Sequence, residues 1–431
     1  MKGYQRIADM TYAYNADIGL SYSSPARGVW NIVHIGTLVP ESHQIFVCPT
    51  SCLRGVVLTT AEMGAMDQMS TITVGEDNIL EGDMEEALYN GVVKILSRLE
   101  KRPRMVMVFT SCIHHFLAVN YQRVYKILRR EYPDIDFIDC YMDPIMRRTS
   151  PPDPTLRRQI TRVLRPLEKE ANSVNIIGNE FRTEENSDLY MHLVNNGIQV
   201  RDITRCRTYD EYLQMGASAA NITFHKAAAK AGKDLEVRLG QTWLPVRTTY
   251  DYDVLDADMK RVCEAVGIDA PSEEMVRKER EMTDAMAADV CALLHGMPLS
   301  VDYTAVDEPL YFTLWLKRHG FTVESCFIEN FTEDKAVFEA LQNELPDLKI
   351  YSSLNWNMRT VERGHDGIIT AIGQKAAYFN DTNHFVDVVE SGDMYGYRGI
   401  RRMLALIQEA YLEEKDMRRL VQVKGWGCHC G

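Results

Sequence analysis

Residues 43–52 read HQIFVCPTSC, and residues 104–112 read RMVMVFTSC. Each stretch is an apolar run of strand length that leads into Thr-Ser-Cys, and a helix-forming segment follows it. A continuous apolar run that ends in polar turn residues is typical of a strand in a parallel sheet, because helices cover both faces of such a sheet. The two stretches therefore predict two strand–helix junctions of one design, with Cys52 and Cys112 at the junctions.

The same alternation of short apolar runs and helical segments continues to about residue 416. It is the pattern of repeated βαβ units, so we predict an α/β protein with three Rossmann-like parallel-sheet domains. In the first domain, residues 113–132 are expected to form a single helix. The predicted division is an N-terminal extension (1–30), a first domain with the cysteine junctions (31–165), a second domain (166–295), a third domain (296–420) and a cysteine-containing tail (421–431).

The composition and charge of the chain argue against several classes of protein. The chain has 431 residues, 45% of them hydrophobic, and a formal net charge of −13. No block of lysine and arginine suggests a nucleic-acid partner, and no apolar run approaches the ~18 residues of a membrane span. The amino-terminal residues lack the plan of a signal peptide. We expect a cytoplasmic protein whose ten cysteines are thiols rather than a disulfide framework.

The two junction cysteines are candidate metal ligands. A cysteine at the amino end of a helix lies near free N–H groups and the positive end of the helix dipole, which favour the metal-binding thiolate. If the two strands are neighbours, Cys52 and Cys112 meet at one sheet edge as a soft pair suited to iron–sulfur or zinc. The alternative is that both are small buried residues. Cys48 is either a third ligand or a buried strand cysteine.

Other side chains near the junctions could support a metal centre. His114 and His115 follow Cys112, and at most one of them is expected to face it and donate a hydrogen bond or relay a proton. Arg54 could balance a negative cluster or be an ordinary surface arginine. The tail GWGCHCG contains a further candidate pair, which is a weaker signal: Cys428 and Cys430.

Motifs that are missing from the sequence exclude several activities. There is no G-x-x-x-x-G-K-[ST] loop, so we do not expect the chain to hydrolyse ATP through a P-loop. There is no G-x-G-x-x-G after a strand, no G-x-S-x-G and no H-E-x-x-H. Nicotinamide binding, serine-hydrolase chemistry and zinc-protease chemistry are therefore unsupported.

Four segments resemble component 1 of nitrogenase and its relatives, in a subunit of the α type. They are PTSCLRG, TVGEDNILEGDMEEAL, TSCIHH and the later GYRG that begins at Gly396. The resemblance runs over nearly the whole chain. Its most specific part is the two cysteine junctions with Gly75-Glu76-Asp77 between them. The relatives include dark-operative protochlorophyllide reductase, chlorophyllide reductase, nickel-sirohydrochlorin reductive cyclase and methylthio-alkane reductase.

The resemblance implies an oxidoreductase subunit with an iron–sulfur cluster, 4Fe–4S or larger, at the interface with a homologous subunit or a second copy of the chain. A separate iron protein would hydrolyse ATP and donate electrons for the reduction of a small-molecule substrate. Cys52 and Cys112 match the second and third cluster cysteines of the family. The first would fall near Ala26, where this sequence has no cysteine.

The sequence also departs from nitrogenase itself. The cysteine that holds the molybdenum–iron cofactor would fall within residues 220–225, and the cofactor histidine would fall at Tyr395. Neither residue type is present at its place. We therefore expect no molybdenum–iron cofactor and no reduction of dinitrogen.

Two other functions remain open from the sequence. The chain could be a scaffold that assembles or carries a metallocluster for another enzyme, since such paralogues share the fold and the cysteines. It could also be a small-molecule binding protein that kept the fold without the cluster, because fold alone does not determine function.

Overall fold

The computed structural model describes residues 3–12, 22, 24–25, 32–143, 151–329, 331, 333–389 and 394–420. The chain divides into two compact units. The two-sheet unit comprises residues 29–182 and 197–246, and the six-stranded unit comprises residues 1–28, 183–196 and 247–431.

The described strands and helices alternate over most of the chain. The strands are β1 (Tyr4–Arg6), β2 (Ser42–Cys48), β3 (Met69–Thr73), β4 (Met105–Ser111), β5 (Asp136–Met142), β6 (Glu170–Ile176), β7 (Gln199–Asp202), β8 (Ser218–Thr223), β9 (Thr242–Pro245), β10 (Leu299–Asp302), β11 (Val323–Ile328), β12 (Lys349–Ser352), β13 (Thr370–Ile372) and β14 (Phe385–Val386). The α-helices are α1 (Ile32–Thr37), α2 (Thr50–Glu62), α3 (Glu76–Glu81), α4 (Met84–Leu96), α5 (Cys112–Phe116), α6 (Tyr121–Glu131), α7 (Pro152–Thr161), α8 (Asp188–Asn195), α9 (Tyr209–Gln214), α10 (Ala229–Leu239), α11 (Tyr252–Val266), α12 (Glu273–Leu294), α13 (Pro309–Arg318), α14 (Lys335–Glu344), α15 (Gln374–Asn380), α16 (Gly396–Leu412) and α17 (Met417–Leu420).

The two-sheet unit holds two parallel sheets of four strands each. The strand order is β3-β2-β4-β5 in the first sheet and β7-β6-β8-β9 in the second. In the first sheet Val47 of β2 is the register partner of Thr110 of β4. The two strands that lead into Cys52 and Cys112 are therefore direct neighbours. The condition on which the sequence analysis based a shared site for Cys52 and Cys112 is therefore met.

Side chains of β2 alternate between two hydrophobic clusters. Phe46 and Cys48 belong to one cluster, whereas Ile45 and Val47 belong to the other. Phe46 also stacks on Phe109 of β4, with ring centroids 4.4 Å apart. Burial on both faces explains why β2 and β4 are continuous apolar runs rather than alternating ones.

The third sheet lies in the six-stranded unit and has the order β1-β12-β11-β10-β13-β14. All of its pairings are parallel except that of β1, which adds to β12 in the antiparallel direction with Tyr4 opposite Tyr351. The predicted fold class, α/β with three parallel sheets, is confirmed. The domain boundaries proposed from the sequence stay a prediction. None of the described helices is long and apolar enough to cross a membrane.

The prediction of one helix over residues 113–132 is wrong. The chain forms the short helix α5, turns at Ala118 with a φ of 50°, and starts again as α6. No glycine or proline marks this turn in the sequence. The turn brings the buried ring of Tyr121 to 5.0 Å from that of His114, and burial of these two rings outweighs the helical pattern of the segment.

A buried carboxylate links the end of β10 to the start of α15 in the six-stranded unit. Asp302, at the end of β10, accepts hydrogen bonds from the backbone N–H groups of Thr304 (2.6 Å), Lys375 (2.6 Å) and Ala376 (2.9 Å). The hydroxyl of Thr304 donates to the same carboxylate. A Cβ at Gly373, whose φ is 113°, would lie 2.5 Å from the Asp302 carboxylate oxygen, so this approach requires glycine.

The side chain of Lys375 is also buried, and it fixes part of the amino-terminal segment. Its Nζ donates to the Ser24 hydroxyl at 3.0 Å and to the Pro25 carbonyl at 3.2 Å. Burial lowers the pKa of Lys375, and the nearby charge of Asp302 opposes that shift. Asp302 therefore orders the start of α15 and helps to keep Lys375 charged.

We predict that Asp302→Ala destabilises the protein strongly. The substitution leaves three buried N–H groups without an acceptor, which at a typical cost per orphaned group is about 3 kcal/mol or more in the free energy of unfolding. Urea denaturation measures the effect. The matched control is Asp347→Ala, because Asp347 pairs with Arg6 at 3.0 Å with its side chain 82% exposed, and exposed pairs contribute less than about 1 kcal/mol. Equal effects of the two substitutions would contradict this account of Asp302.

Candidate metal centre

Chain order in the first sheet reverses between β2 and β4. From β2 the chain continues to β3 on one side, and β4 and β5 lie on the other side. Helices leave the carboxyl ends of β2 and β4 in different directions at such a point, so a crevice opens there, and ligands of α/β proteins bind in it. Cys52 is the third residue of α2 and Cys112 is the first residue of α5. Both junction cysteines therefore lie at this reversal point.

The three thiols at the reversal point differ in exposure. Cys52 is exposed, Cys112 is partly exposed, and Cys48 is fully buried in the apolar cluster that contains Phe46 and Phe109. Burial raises the pKa of the Cys48 thiol to about 12, and negative charge on Cys52 and on Cys112 raises it further. The fold thus brings Cys48, Cys52 and Cys112 close enough for their charges to interact, as the sequence analysis expected of the junction pair.

This chain does not form a closed metal site within its described part. Among those residues no group of three or more histidine, cysteine, aspartate or glutamate side chains is arranged to hold a metal ion. The exposed sulfur of Cys52 and the partly exposed sulfur of Cys112 can still reach a group bound from outside. Whether these cysteines are metal ligands stays a prediction.

The two adjacent histidines are in different environments. His115 is exposed, whereas His114 is buried, and its Nδ1 accepts a hydrogen bond from the backbone N–H of Ser111 at 3.0 Å. This bond closes a capping box at the start of α5. Burial lowers the pKa of His114, so the ring is neutral at neutral pH. Its Nε2 has no hydrogen-bond partner among the described residues.

Some of the remaining candidate residues lie among the described residues, and others lie outside them. Arg54 lies on α2, two residues after Cys52, and is exposed. Tyr395, at the place of the expected cofactor histidine, is buried. The candidate pair Cys428 and Cys430 lies outside the described residues, as does Ala26, the expected place of a first cluster cysteine.

Exposed apolar side chains lie in the segments that follow β3 and β4, and the sequence analysis missed them. Leu80 in α3 is 83% exposed, and Phe116 and Leu117, which follow Cys112, are 69% and 46% exposed. Large apolar side chains grouped on a surface are typical of contact sites for another protein. Sequence periodicity could not identify them, because it does not tell an exposed apolar residue from a buried one.

Comparison with models of known protein families identifies the family of this chain. A family model described as "Nitrogenase component 1 type Oxidoreductase" matches residues 34–411. The chain belongs to this family. The resemblance inferred from the cysteine junctions and the GYRG segment is thereby confirmed, and the chain is a nitrogenase-like member of an oxidoreductase family.

Solved structures support the fold of this component 1 type chain. The structure titled "Nitrogenase Cp1 at pH 6.5" has a TM-score of 0.63 and 14% sequence identity, and the match covers 93% of this chain and 96% of the other. The structure titled "Nitrogenase Cp1 at pH 5" has a TM-score of 0.58 and 11% identity, with 94% and 91% covered. At these identities the likeness concerns the fold alone. A search of curated proteins finds no match.

We predict that alkylation distinguishes the three thiols of the metal-free protein. At pH 8 a pKa of about 12 leaves roughly one Cys48 thiol in ten thousand ionised, and the thiol is also shielded from reagent. Iodoacetamide should therefore modify Cys52 at least tenfold faster than Cys48, as measured by peptide mass spectrometry over time. Cys140, which is equally buried, is the control for slow labelling. Modification of Cys48 at the rate of Cys52 would contradict the assigned burial.

Proposed function

We propose that this component 1 type chain is a reductase subunit that holds an iron–sulfur cluster on Cys52 and Cys112 at a contact face with a second subunit. The observation that carries the proposal is the convergence of the two thiols at the reversal point of the first sheet, both with surface exposure. Electrons would come from a separate iron protein, and the substrate would be a small molecule.

The residues at this edge fit such a cluster. Cysteine thiolates are the usual ligands of iron–sulfur clusters, and a 4Fe–4S cluster takes four of them. Cys52 and Cys112 provide two, and burial keeps the Cys48 thiol protonated within the core. The remaining ligands would come from a homologous subunit or from a second copy of this chain, which agrees with the open arrangement of the described side chains.

The protein's own part in the chemistry is to position and shield the two sulfurs. Cys52 is the third residue of α2, so the first turn of that helix fixes its backbone. The capping box between Ser111 and His114 fixes the first turn of α5, and with it the backbone at Cys112. When bound, a cluster at this place supplies a centre that accepts and releases single electrons.

The exposed residues Leu80, Phe116 and Leu117, in the segments that follow β3 and β4, support a protein partner, because burial of large apolar side chains stabilises association. A homologous subunit or second copy and the iron protein are the two partners that the family implies. ATP hydrolysis is assigned to the iron protein, since this sequence lacks a P-loop. A molybdenum–iron cofactor is not part of the proposal, and neither is dinitrogen as substrate.

We predict that the complex purified without oxygen contains iron and acid-labile sulfide, and that Cys52→Ser and Cys112→Ser each remove most of both. The reason is that each substitution deletes one of the thiolates proposed to hold the cluster. Elemental analysis and EPR of the dithionite-reduced complex measure the change. Cys291→Ser is the matched control, because Cys291 is a partly exposed cysteine of α12 in the other unit.

Each result of this experiment has a defined meaning. Iron and sulfide that persist in both variants would refute the assignment of Cys52 and Cys112. A wild-type complex without iron would favour a cluster-free binding protein. Iron that the complex releases to a metal-free enzyme, without turnover in the presence of iron protein, ATP and dithionite, would favour an assembly scaffold instead of a reductase.

A further inference from the structure

The six-stranded unit contains a second candidate site, at the amino end of α16. A cavity of about 150 Å³ lies there between α8, α11, α12 and the first residues of α16. Its aliphatic lining comes from six side chains: Met191, Leu255, Met259, Pro271, Met275 and Val276. An apolar cavity of about this size holds one benzene ring in an engineered protein. The volume therefore fits a ligand body of one ring.

Among the acidic residues of the lining, Asp188 is distinguished by its contacts with Arg398. Asp188 of α8 accepts a hydrogen bond from the backbone N–H of Arg398 at 3.0 Å, and its carboxylate lies 3.4 Å from the Arg398 Nε. The Asp188 side chain is 13% exposed, whereas that of Arg398 is 43% exposed. This mostly buried carboxylate is thus paired with a guanidinium that remains partly in water.

Gly396 makes this approach possible. Its φ is 74°, and a Cβ built on it would lie 2.3 Å from the Asp188 Oδ2. Any other residue would therefore push the carboxylate away from the start of α16. The glycine belongs to the GYRG segment that carried the family resemblance, and the geometry gives it a local purpose, which is to let Asp188 reach the cavity wall.

The other two carboxylates of the lining have closer partners. Asp256 pairs with the Arg280 guanidinium and accepts a hydrogen bond from the Tyr397 hydroxyl at 2.8 Å. Glu279 pairs with Arg401 at 2.5 Å. Asp188 is the least compensated of the three. Its burial raises its pKa to about 6, and the charge of Glu279 adds to the effect.

We propose that this cavity binds a small amphipathic organic cation, with an ammonium group on Asp188 and a one-ring apolar body among the three methionines. Asp256 and Glu279 are neutralised by Arg280 and Arg401. The charge that favours a positive ligand is therefore that of Asp188, whose ion pair with Arg398 is the longest of the three. Methionine thioethers make favourable contacts with aromatic rings, so an aryl body is preferred. The cavity shares no residue with the thiols of the first sheet, and this inference does not rest on the proposed reductase function.

The test uses benzylamine as the probe and NMR of the full chain with ¹³C-methyl-labelled methionine. At pH 8 benzylamine should shift the signals of Met191, Met259 and Met275, assigned by single Met→Leu substitutions, in a saturable way. Benzyl alcohol, which has the ring without the charge, should bind at least tenfold more weakly. Absence of methionine shifts with benzylamine, or equal binding of benzyl alcohol, would overturn the proposal.

Three variants locate the charge on Asp188. Asp188→Asn keeps the shape and an acceptor oxygen but should weaken benzylamine binding at least tenfold. Arg398→Gln should strengthen it, because the guanidinium competes for the same carboxylate. Glu281→Gln, an exposed position of α12 paired with Arg277, is the control and should bind as the unmodified chain does. Binding by Asp188→Asn at the unmodified affinity would refute the assignment, and a folded spectrum of each variant excludes unfolding as the cause.

The pH dependence gives an independent readout. Because burial raises the pKa of Asp188 to about 6, the carboxyl is ionised above that pH and neutral below it. Benzylamine affinity should therefore fall as the pH is lowered from 8 to 5. Facing Asp188 are Glu279 on α12 and Arg398 and Arg401 on α16; Asp256 of α11 and His192 of α8 share the lining. A fall that is equally large in Asp188→Asn would belong to one of these groups and would contradict the proposal.

Discussion

The arrangement of the thiol edge depends on one topological constraint, which is the reversal of strand order between β2 and β4. In a parallel sheet all strands end at the same edge, and the register of Val47 with Thr110 makes β2 and β4 end side by side. Helices that leave two such neighbouring ends must diverge, since each covers a different part of the sheet. The chain can therefore place residues that are about sixty positions apart in sequence at one opening, without a long loop to carry them.

The cysteines at this opening differ in solvent exposure, and this difference affects their chemistry. Cys48 ends a strand that is covered on both faces, and the resulting loss of hydration holds its thiol in the protonated form. Cys52 lies in the first turn of α2 and is exposed. The same residue type is thus a packing group at one position and an accessible sulfur four residues later.

The thiol edge and the cavity at α16 differ in what they present to solvent. The thiol edge presents one exposed and one partly exposed cysteine, and apolar side chains in the segments after β3 and β4 are exposed as well. The cavity at α16 is built by four helices of one unit and ends on a carboxylate that only a glycine admits. The first arrangement favours protein partners, and the second favours a small ligand.

The fold class and the strand–helix junctions at Cys52 and Cys112 could be predicted from the sequence, because apolar runs and turn residues are local signals of buried parallel strands. The family could be predicted from short motifs around the same junctions. The sequence did not predict the break at Ala118, the antiparallel strand β1, or the exposure of Leu80 and Phe116. Each of these features depends on contacts made in the folded chain. The break at Ala118 accompanies the contact of the Tyr121 ring with His114, and β1 forms by pairing with β12. The exposure of Leu80 and Phe116 depends on which segments pack over them. The tertiary structure alone decided which cysteine is buried, which histidine faces water and where Asp188 meets α16, since burial is a property of the assembled chain rather than of any one segment.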